Sequence, residues 1–255
     1  MTPELRIDGH VATITFRRPD QANRLEPRDL SVLMQHVAQV NAQQQVLVLR
    51  LQSTGKYFCS GFDINQMAAA NGTESGVAFD TLVNALEDAR PVTIAVIQGG
   101  VYGGATDLAL ACDFRIGTHT VDMFMPAARL GLHFYPRGLM RYVSRLGLDT
   151  AKRLFLTAEK IGANEMLHCG FLTQLVHADE LAPSADRLTA TLAGMAPLAL
   201  LGMKKHLNAL ARGELDVAAL NADIARAAGS DDLQEGARAW AERRAPVFTG
   251  RLAGE

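Results

Sequence analysis

Apolar and polar positions follow different periods along this chain, and each period predicts a different element. From residue 4 to residue 16 they alternate, and Asp8-Gly9 lies between two extended runs, which predicts a β-hairpin. After Pro19, apolar residues recur at the spacing of one helix face, which predicts a helix within residues 26–43. The residues on that face are Leu30, Leu33, Met34, Val37 and Val40.

Two continuous apolar runs, VLVLRLQ at residues 46–52 and VTIAVI at residues 92–97, are typical of buried strands. A glycine-containing loop follows the first run, and a predicted helix that ends at Pro91 precedes the second. A glycine-rich stretch and another predicted helix follow the second run. The sequence of strand, glycine loop and helix therefore recurs, and short strands are predicted near residues 114–117 and 121–125.

The second half of the chain has a different character. A helix is predicted from about Thr150, followed by a short helix that begins at Asn164 and ends at Gly170. From Glu180 onward the pattern predicts only helices. The fold class is therefore α/β, with a core in residues 1–180 and a helical C-terminal region in residues 181–255.

Composition excludes several function classes. Apolar residues make up 48% of the 255 residues, and the net charge of −2 is spread without a basic stripe, so nucleic acid is not an expected partner. The three cysteines are far apart in apolar stretches, which favours buried reduced thiols. No spacing typical of metal ligands occurs, and the sequence has neither a leader pattern nor an apolar run long enough to span a bilayer. We therefore expect a cytoplasmic protein without a metal or a membrane partner.

Four glycines, Gly99, Gly100, Gly103 and Gly104, lie between the second buried strand and the helix after it. The first amides of a helix have no internal partner and carry partial positive charge, so such a junction can stabilise an oxyanion. The loop YFCSGFD after the preceding buried strand could supply a second amide. The alternative is that these glycines serve only close packing of helix and strand.

Known nucleotide and nucleophile motifs do not fit these loops. STGKYF lacks the first glycine and the hydroxyl residue of a phosphate loop, and GGVYGG has the wrong spacing for a dinucleotide fingerprint. FCSGF is not the G-x-S-x-G of a nucleophile elbow.

Longer stretches resemble the crotonase superfamily, the enoyl-CoA hydratases and isomerases. The resemblance is carried by KYFCSGFDINQM, by AVIQGGVYGGATDLALACDFRIG some forty residues later, and by RRPDQANRL, RLFLTAEKIGANEMLHCGFLTQLV and the C-terminal GSDDLQEGARAWAERRAPVFTGR. It implies a spiral of strand–strand–helix turns with a helical trimerisation region, and a homotrimer or a dimer of trimers. It also implies an acyl-CoA thioester as substrate, with coenzyme A entering as part of that substrate and no separate cofactor.

The resemblance assigns positions in this chain to the site. It implies an oxyanion hole formed by the amides of Ser60 and Gly104. Phe58, Asp63 and Gly103 are implied beside the substrate, although Asp63 also fits a purely structural role at the boundary of its element.

The positions expected to carry two catalytic glutamates differ from the family pattern. Asp107 stands at the first, one helical turn after Gly104, where it could act as a base or merely complement the helix dipole. Ala127 stands at the second. His133 or, less readily, Tyr135 could replace the missing group, since imidazole transfers protons near neutral pH, but a packed or solvent-exposed role is also open to His133.

Three functions follow from this pattern. The first is enolate chemistry on an acyl-CoA, either hydration or double-bond isomerisation. The second is C–C hydrolysis or decarboxylation that uses His133. The third is acyl-CoA binding without catalysis. The glycine junction favours the first two, and the absence of the second glutamate favours the last two.

Overall fold

The strands of the chain form one large sheet and one small sheet. The computed structural model describes residues 1–63 and 78–252. Within these residues the strands are β1 (Glu4–Asp8), β2 (Val11–Phe16), β3 (Val48–Ser53), β4 (Val92–Ile97), β5 (Val101–Tyr102), β6 (Phe114–Thr118), β7 (Asp122–Phe124), β8 (Ile161–Gly162) and β9 (Gln174–Val176). The large sheet has the order β1-β2-β3-β4-β6-β9, and the small sheet has the order β5-β7-β8.

The large sheet is parallel except at its first edge, where β1 and β2 form the antiparallel hairpin that the sequence predicts. Parallel strands bring their carboxyl ends to one edge of the sheet. The loops that follow β3 and β4 therefore leave the sheet from the same edge, and both glycine-bearing junctions lie in these loops.

Helices cover the sheets and make up the C-terminal quarter. They are α1 (Pro27–Ala42), α2 (Phe79–Glu87), α3 (Gly104–Ala111), α4 (Pro136–Leu146), α5 (Leu148–Thr157), α6 (Ala163–His168), α7 (Leu181–Ala193), α8 (Pro197–Ala211), α9 (Val217–Ala228) and α10 (Asp231–Glu242). Short 3-10 helices occupy Pro19–Gln21, Ala127–Leu130 and Ala178–Glu180. No helix in the described ranges combines the length and the apolar character that crossing a membrane requires.

Two hydrophobic clusters stabilise the fold, one on each side of the large sheet. The larger cluster buries α1, α2 and α3 against one face, and α3 itself is almost wholly enclosed. On the other face, α7 packs Leu181, Ala185 and Leu192 against Val48 and Ile94. Because α7 contributes to the sheet's own core, it shares that core with the strands although it lies beyond the predicted boundary at residue 180.

The structure confirms the α/β class, the first hairpin, the helix after Pro19 and the helical C-terminal region. The predicted helix near Thr150 begins at Leu148. Helix α4 was not predicted, although Pro136 lies in its first turn and Gly147 follows its last residue, a pairing typical of helix ends.

Candidate functional site

The glycine junction between β4 and α3 exposes the first amide of a helix. Gly103 has φ of +55° and caps α3, a backbone conformation that a side chain would strain. Gly104 is the first helical residue and is half-buried. Within the described residues its N–H has no hydrogen-bond acceptor. A polar donor is therefore available at the start of α3.

Contacts within the protein account for the other glycines of this junction. A Cβ at Gly99 would lie 1.8 Å from the carbonyl oxygen of Lys56, and one at Gly100 would meet the Tyr102 ring at 2.2–2.9 Å. A Cβ at Gly104 would lie 2.7 Å from Cζ of Phe79. The packing explanation therefore holds for Gly99, Gly100 and Gly104, whereas Gly103 is needed for its backbone angle.

The second junction, residues 58–63, contacts the first. A Cβ at Gly61 would lie 3.0 Å from the Gly104 nitrogen, so only a glycine lets the two backbones approach this closely. Cys59 pairs with Val101 in a parallel bridge, and the Ser60 amide donates to the Ala22 carbonyl at 2.9 Å. This hydrogen bond counts against Ser60 as a donor to a ligand.

Two residues further on, Phe62 offers the donor that Ser60 does not. Phe62 forms a parallel bridge with Leu25 through its neighbours: Gly61 accepts from Leu25, and Asp63 donates to Leu25. In a parallel bridge the central residue directs its own amide to the opposite side. The Phe62 N–H has no acceptor among the residues that the structure describes. We call the amides of Phe62 and Gly104 the amide pair.

The other substrate-contact candidates lie around this pair in different environments. Phe58 is fully buried and packs edge-on against Phe16 at 5.7 Å between ring centroids, so its side chain belongs to the core. The Asp63 carboxylate is buried and forms an ion pair with Arg24 at 3.3 Å. Gly103 is half-buried beside Gly104.

One turn into α3, the Asp107 carboxylate is completely buried and bound by Arg141 of α4. Arg141 Nε donates to Asp107 Oδ1 at 2.9 Å, and Nη2 donates to Oδ2 at 3.0 Å. The Tyr135 hydroxyl also donates to Oδ2. A carboxylate accepts about four hydrogen bonds, so these three leave little capacity for a substrate or a proton.

Arg141 joins Asp107 to a second buried carboxylate on α2. Its Nη1 lies 2.7 Å from Oε2 of Glu87, and its Nη2 donates to Asn84 Oδ1 at 3.2 Å. Although burial disfavours the charged guanidinium, hydrogen bonds and charge from Asp107, with charge from Glu87, raise the pKa of Arg141. Asp107, Arg141, Glu87, Asn84 and Tyr135 are called the ion-pair cluster below.

Tyr135 and His133 have different surroundings although only one residue separates them. Burial, the charge of Asp107 and the hydrogen bond to that carboxylate raise the pKa of Tyr135, so its hydroxyl keeps its proton. His133 is exposed, and its Nδ1 lies 2.8 Å from the Phe134 carbonyl oxygen. A ring nitrogen next to a carbonyl carries the proton, which leaves Nε2 as the basic atom.

Sequence reasoning missed Arg141 and Phe62. Arg141 is 34 residues from Asp107 and lies in the helix that was not predicted, so recognising α4 would have been the first step. Phe62 was missed because the direction of an amide within an irregular loop depends on its partners in space. Ala127, where a second glutamate was expected, is buried at the start of a 3-10 helix.

The comparisons with known proteins agree with this architecture. A family model described as "Enoyl-CoA hydratase/isomerase" matches residues 6–251. The chain belongs to the enoyl-CoA hydratase/isomerase family. It is 30% identical over 253 residues to the "Probable enoyl-CoA hydratase echA8" of Mycobacterium leprae, with 96% of this chain and 97% of that protein covered.

A second relative and a solved structure are also similar to this chain over nearly its whole length. The (E)-benzylidenesuccinyl-CoA hydratase of Thauera aromatica is 29% identical over 262 residues, with 98% of this chain and all of that protein covered. The crystal structure of an enoyl-CoA hydratase from Bacillus anthracis superimposes with a TM-score of 0.86 at 26% identity, covering 98% of this chain and 100% of that one. The chain therefore belongs to the crotonase superfamily and has the crotonase fold.

Proposed function

We propose that this enzyme binds an acyl-CoA thioester with the carbonyl oxygen between the amides of Phe62 and Gly104. The observation that carries the proposal is that both N–H groups lack an acceptor within the described residues, at two junctions that touch. Ser60, the donor expected from the sequence, already donates to Ala22. The amide pair therefore replaces the pair of Ser60 and Gly104.

The hydrogen bonds from the two amides to this oxygen become stronger as the oxygen gains negative charge. Removing the α-proton of a thioester converts the carbonyl into an enolate, and its oxygen then carries the charge. Each oxyanion-hole donor contributes roughly 3 kcal/mol to such a transition state. The proposed common step is enolate formation, which hydratases, isomerases and C–C cleaving enzymes of this kind share.

His133 is the proposed proton-transfer residue. Asp107 is bound by Arg141, and the raised pKa of Tyr135 keeps that hydroxyl protonated. Nε2 of His133 has no partner among the described residues, and neutral imidazole is an effective base near pH 7. This assignment favours isomerisation or another enolate reaction over hydration by two carboxylates.

Acyl-CoA binding without catalysis is a second candidate function. Two observations favour it: the Phe79 ring lies close to Gly104, and the Asp107 carboxylate one helical turn after Gly104 is enclosed. Such a protein would bind acyl-CoA but leave its α-hydrogens unchanged.

We further propose that the helices beyond α7 form a homotrimer or a dimer of trimers. Large apolar side chains of α8, α9 and α10 are exposed in the isolated chain, an arrangement typical of helices that pack against another subunit. They include Met203, Leu207, Leu210, Ile224, Leu233 and Trp240. Analytical ultracentrifugation tests this, and a stable monomer at micromolar concentration would contradict it.

The test of function uses butyryl-CoA, a saturated thioester that cannot be hydrated. Calorimetry measures its binding, and mass spectrometry in heavy water measures exchange of its α-hydrogens, a reaction that needs only enolate formation and reprotonation. The proposal predicts binding and exchange, with slow hydration of crotonyl-CoA in parallel. Binding without exchange would favour the second candidate, and no binding would contradict both.

A further inference from the structure

Arg141 is enclosed by acceptors from two helices. Asp107 of α3 accepts hydrogen bonds from both Nε and Nη2. From α2, the Glu87 carboxylate lies next to Nη1, and the Asn84 side-chain oxygen accepts from Nη2. The side chain is 1% exposed. A bidentate guanidinium–carboxylate pair of this kind holds both partners in their charged forms and in one geometry.

We propose that Arg141 is a positioning residue that keeps Asp107 from acting as a base in the enolate step. This inference rests on the proposed function and concerns the same site. For Asp107 to accept an α-proton, it must exchange a hydrogen bond from Arg141 for an O–H bond and leave the buried guanidinium with one carboxylate fewer. The ion pair opposes that exchange, so the α-proton must go to a group outside the cluster.

Position alone would otherwise make Asp107 a suitable base. It lies one helical turn after Gly104 and on the same side of α3, so a substrate oxygen at the Gly104 amide would bring its α-carbon towards this turn. What separates Asp107 from a catalytic carboxylate is therefore its partner Arg141. Loss of that partner should release the carboxylate.

Several ionisable groups surround the cluster and must be considered in any pH profile. Tyr135 contacts Asp107 directly, whereas the guanidinium groups of three other arginines approach Glu87 rather than Asp107. These arginines are Arg137 and Arg145 of α4 and Arg212, which follows α8. Among the described residues none of these three forms an ion pair with Asp107, so its carboxylate is left to Arg141.

The reaction that serves as the readout is exchange of the α-hydrogens of butyryl-CoA for deuterium. A base removes the α-proton of butyryl-CoA, the C–H pair becomes the C=C bond of the enolate, and the carbonyl π pair moves to the oxygen. On return, the oxygen pair re-forms the C=O bond and the C=C pair takes a deuteron from solvent, while the base releases the original proton to solvent. Arg141→Met should raise the exchange rate at least tenfold in the acidic range and add a limb in which the rate rises with pH. Asp107→Asn in the same background should remove that gain.

Control variants separate this role from general damage to the fold. Arg137→Met removes a neighbouring cation that contacts Glu87 and Asp88 but not Asp107, so no gain is expected. Arg141→Lys restores a cation and should return the rate most of the way to that of the parent. Should Arg141→Met fail to fold, Arg141→Met/Glu87→Gln removes one charge of each sign and should show the same gain.

A measurement without acyl-CoA distinguishes failure of this inference from failure of the proposed function. In protein with ¹³C-labelled aspartate carboxyl groups, Asp107→Asn identifies the resonance of Asp107. Loss of Arg141 in a folded variant should let that carboxylate take up its proton at a higher pH than in the parent. An unchanged titration, or an unchanged exchange rate in folded variants that bind butyryl-CoA, would overturn the inference, whereas absence of binding by the parent would overturn only the proposed function.

Discussion

Gly104 of the amide pair and Asp107 of the ion-pair cluster lie one helical turn apart on α3, yet the hydrogen-bonding groups of the two sites differ in how fully they are used. In the amide pair, two N–H groups have no acceptor within the described chain. In the cluster, every oxygen of Asp107 is bonded and the carboxylate is completely buried. Unused donors beside a half-buried glycine suit a ligand, whereas a saturated charge pair suits a scaffold.

This difference shows why residue type at a motif position does not fix its role. Asp107 has the spacing of a catalytic carboxylate but the contacts of a structural one. Phe62 has an unreactive side chain but a backbone N–H that no described residue accepts. In this hydratase/isomerase family member, chemistry is therefore expected where hydrogen-bonding capacity remains unused.

The largest expected effect concerns the stability of the cluster. Arg141→Met leaves Asp107 buried without its cation and should lower the free energy of unfolding by about 3–5 kcal/mol, because an unpaired buried charge is costly. Urea denaturation measures it. The matched control is Arg6→Met, which removes an almost fully exposed pair with Asp8 and should cause no measurable change. An equal loss of free energy of unfolding in both variants would contradict the claim that the buried cluster stabilises the fold more than an exposed ion pair does.

The next effect concerns the residue proposed to remove the α-proton of the thioester. His133→Asn removes the proposed base and should slow α-hydrogen exchange of butyryl-CoA by about 10²-fold, while the dissociation constant stays the same. The rates are measured by mass spectrometry in heavy water. Exchange that survives in His133→Asn but is abolished by Tyr135→Phe would transfer the role to Tyr135.

A smaller effect is expected at the amide pair. In Gly104→Ala the new Cβ would lie 2.7 Å from Cζ of Phe79, so the ring beside this amide must shift and the site must change shape. Calorimetry should show about tenfold weaker binding of butyryl-CoA, or about 1.4 kcal/mol. Gly162→Ala is the control, since a Cβ there would have no described heavy atom within 4 Å apart from its chain neighbours. Unchanged affinity in Gly104→Ala would argue against a ligand at this amide.

The smallest effect tests the burial of Cys59, which lies in the second junction just before Ser60. Burial raises the pKa of the Cys59 thiol to about 12. The folded thiol thus keeps its proton while the unfolded thiol loses its own from about pH 9, so stability falls as pH rises between these values. Between pH 9 and 10, the free energy of unfolding of Cys59→Ala should fall by about 1 kcal/mol less than that of the parent, as measured by urea denaturation. Parallel pH curves would contradict this burial.

Local periodicity was sufficient to predict much of the fold. The hairpin at Asp8-Gly9, helix α1 and strand β4 follow from patterns within about fifteen residues. The resemblance in the glycine-bearing segments added the family, which the family model confirms. These features are accessible because neighbouring residues determine them.

The contacts of the site could not be predicted in the same way. Arg141 reaches Asp107 across 34 residues, and nothing in either segment specifies the other. The Ser60 amide donates to the Ala22 carbonyl, whereas Leu25 bonds to the residues on either side of Phe62 and leaves the Phe62 amide without an acceptor in the described ranges. Such facts depend on how distant loops cross in three dimensions.

A crystal structure with butyryl-CoA bound tests the central claim most directly. The account predicts the thioester oxygen at about 2.7–3.1 Å from both the Phe62 and the Gly104 nitrogen, with Asp107 still paired to Arg141. A thioester oxygen bound by Ser60, or one that lies away from both amides, would contradict it.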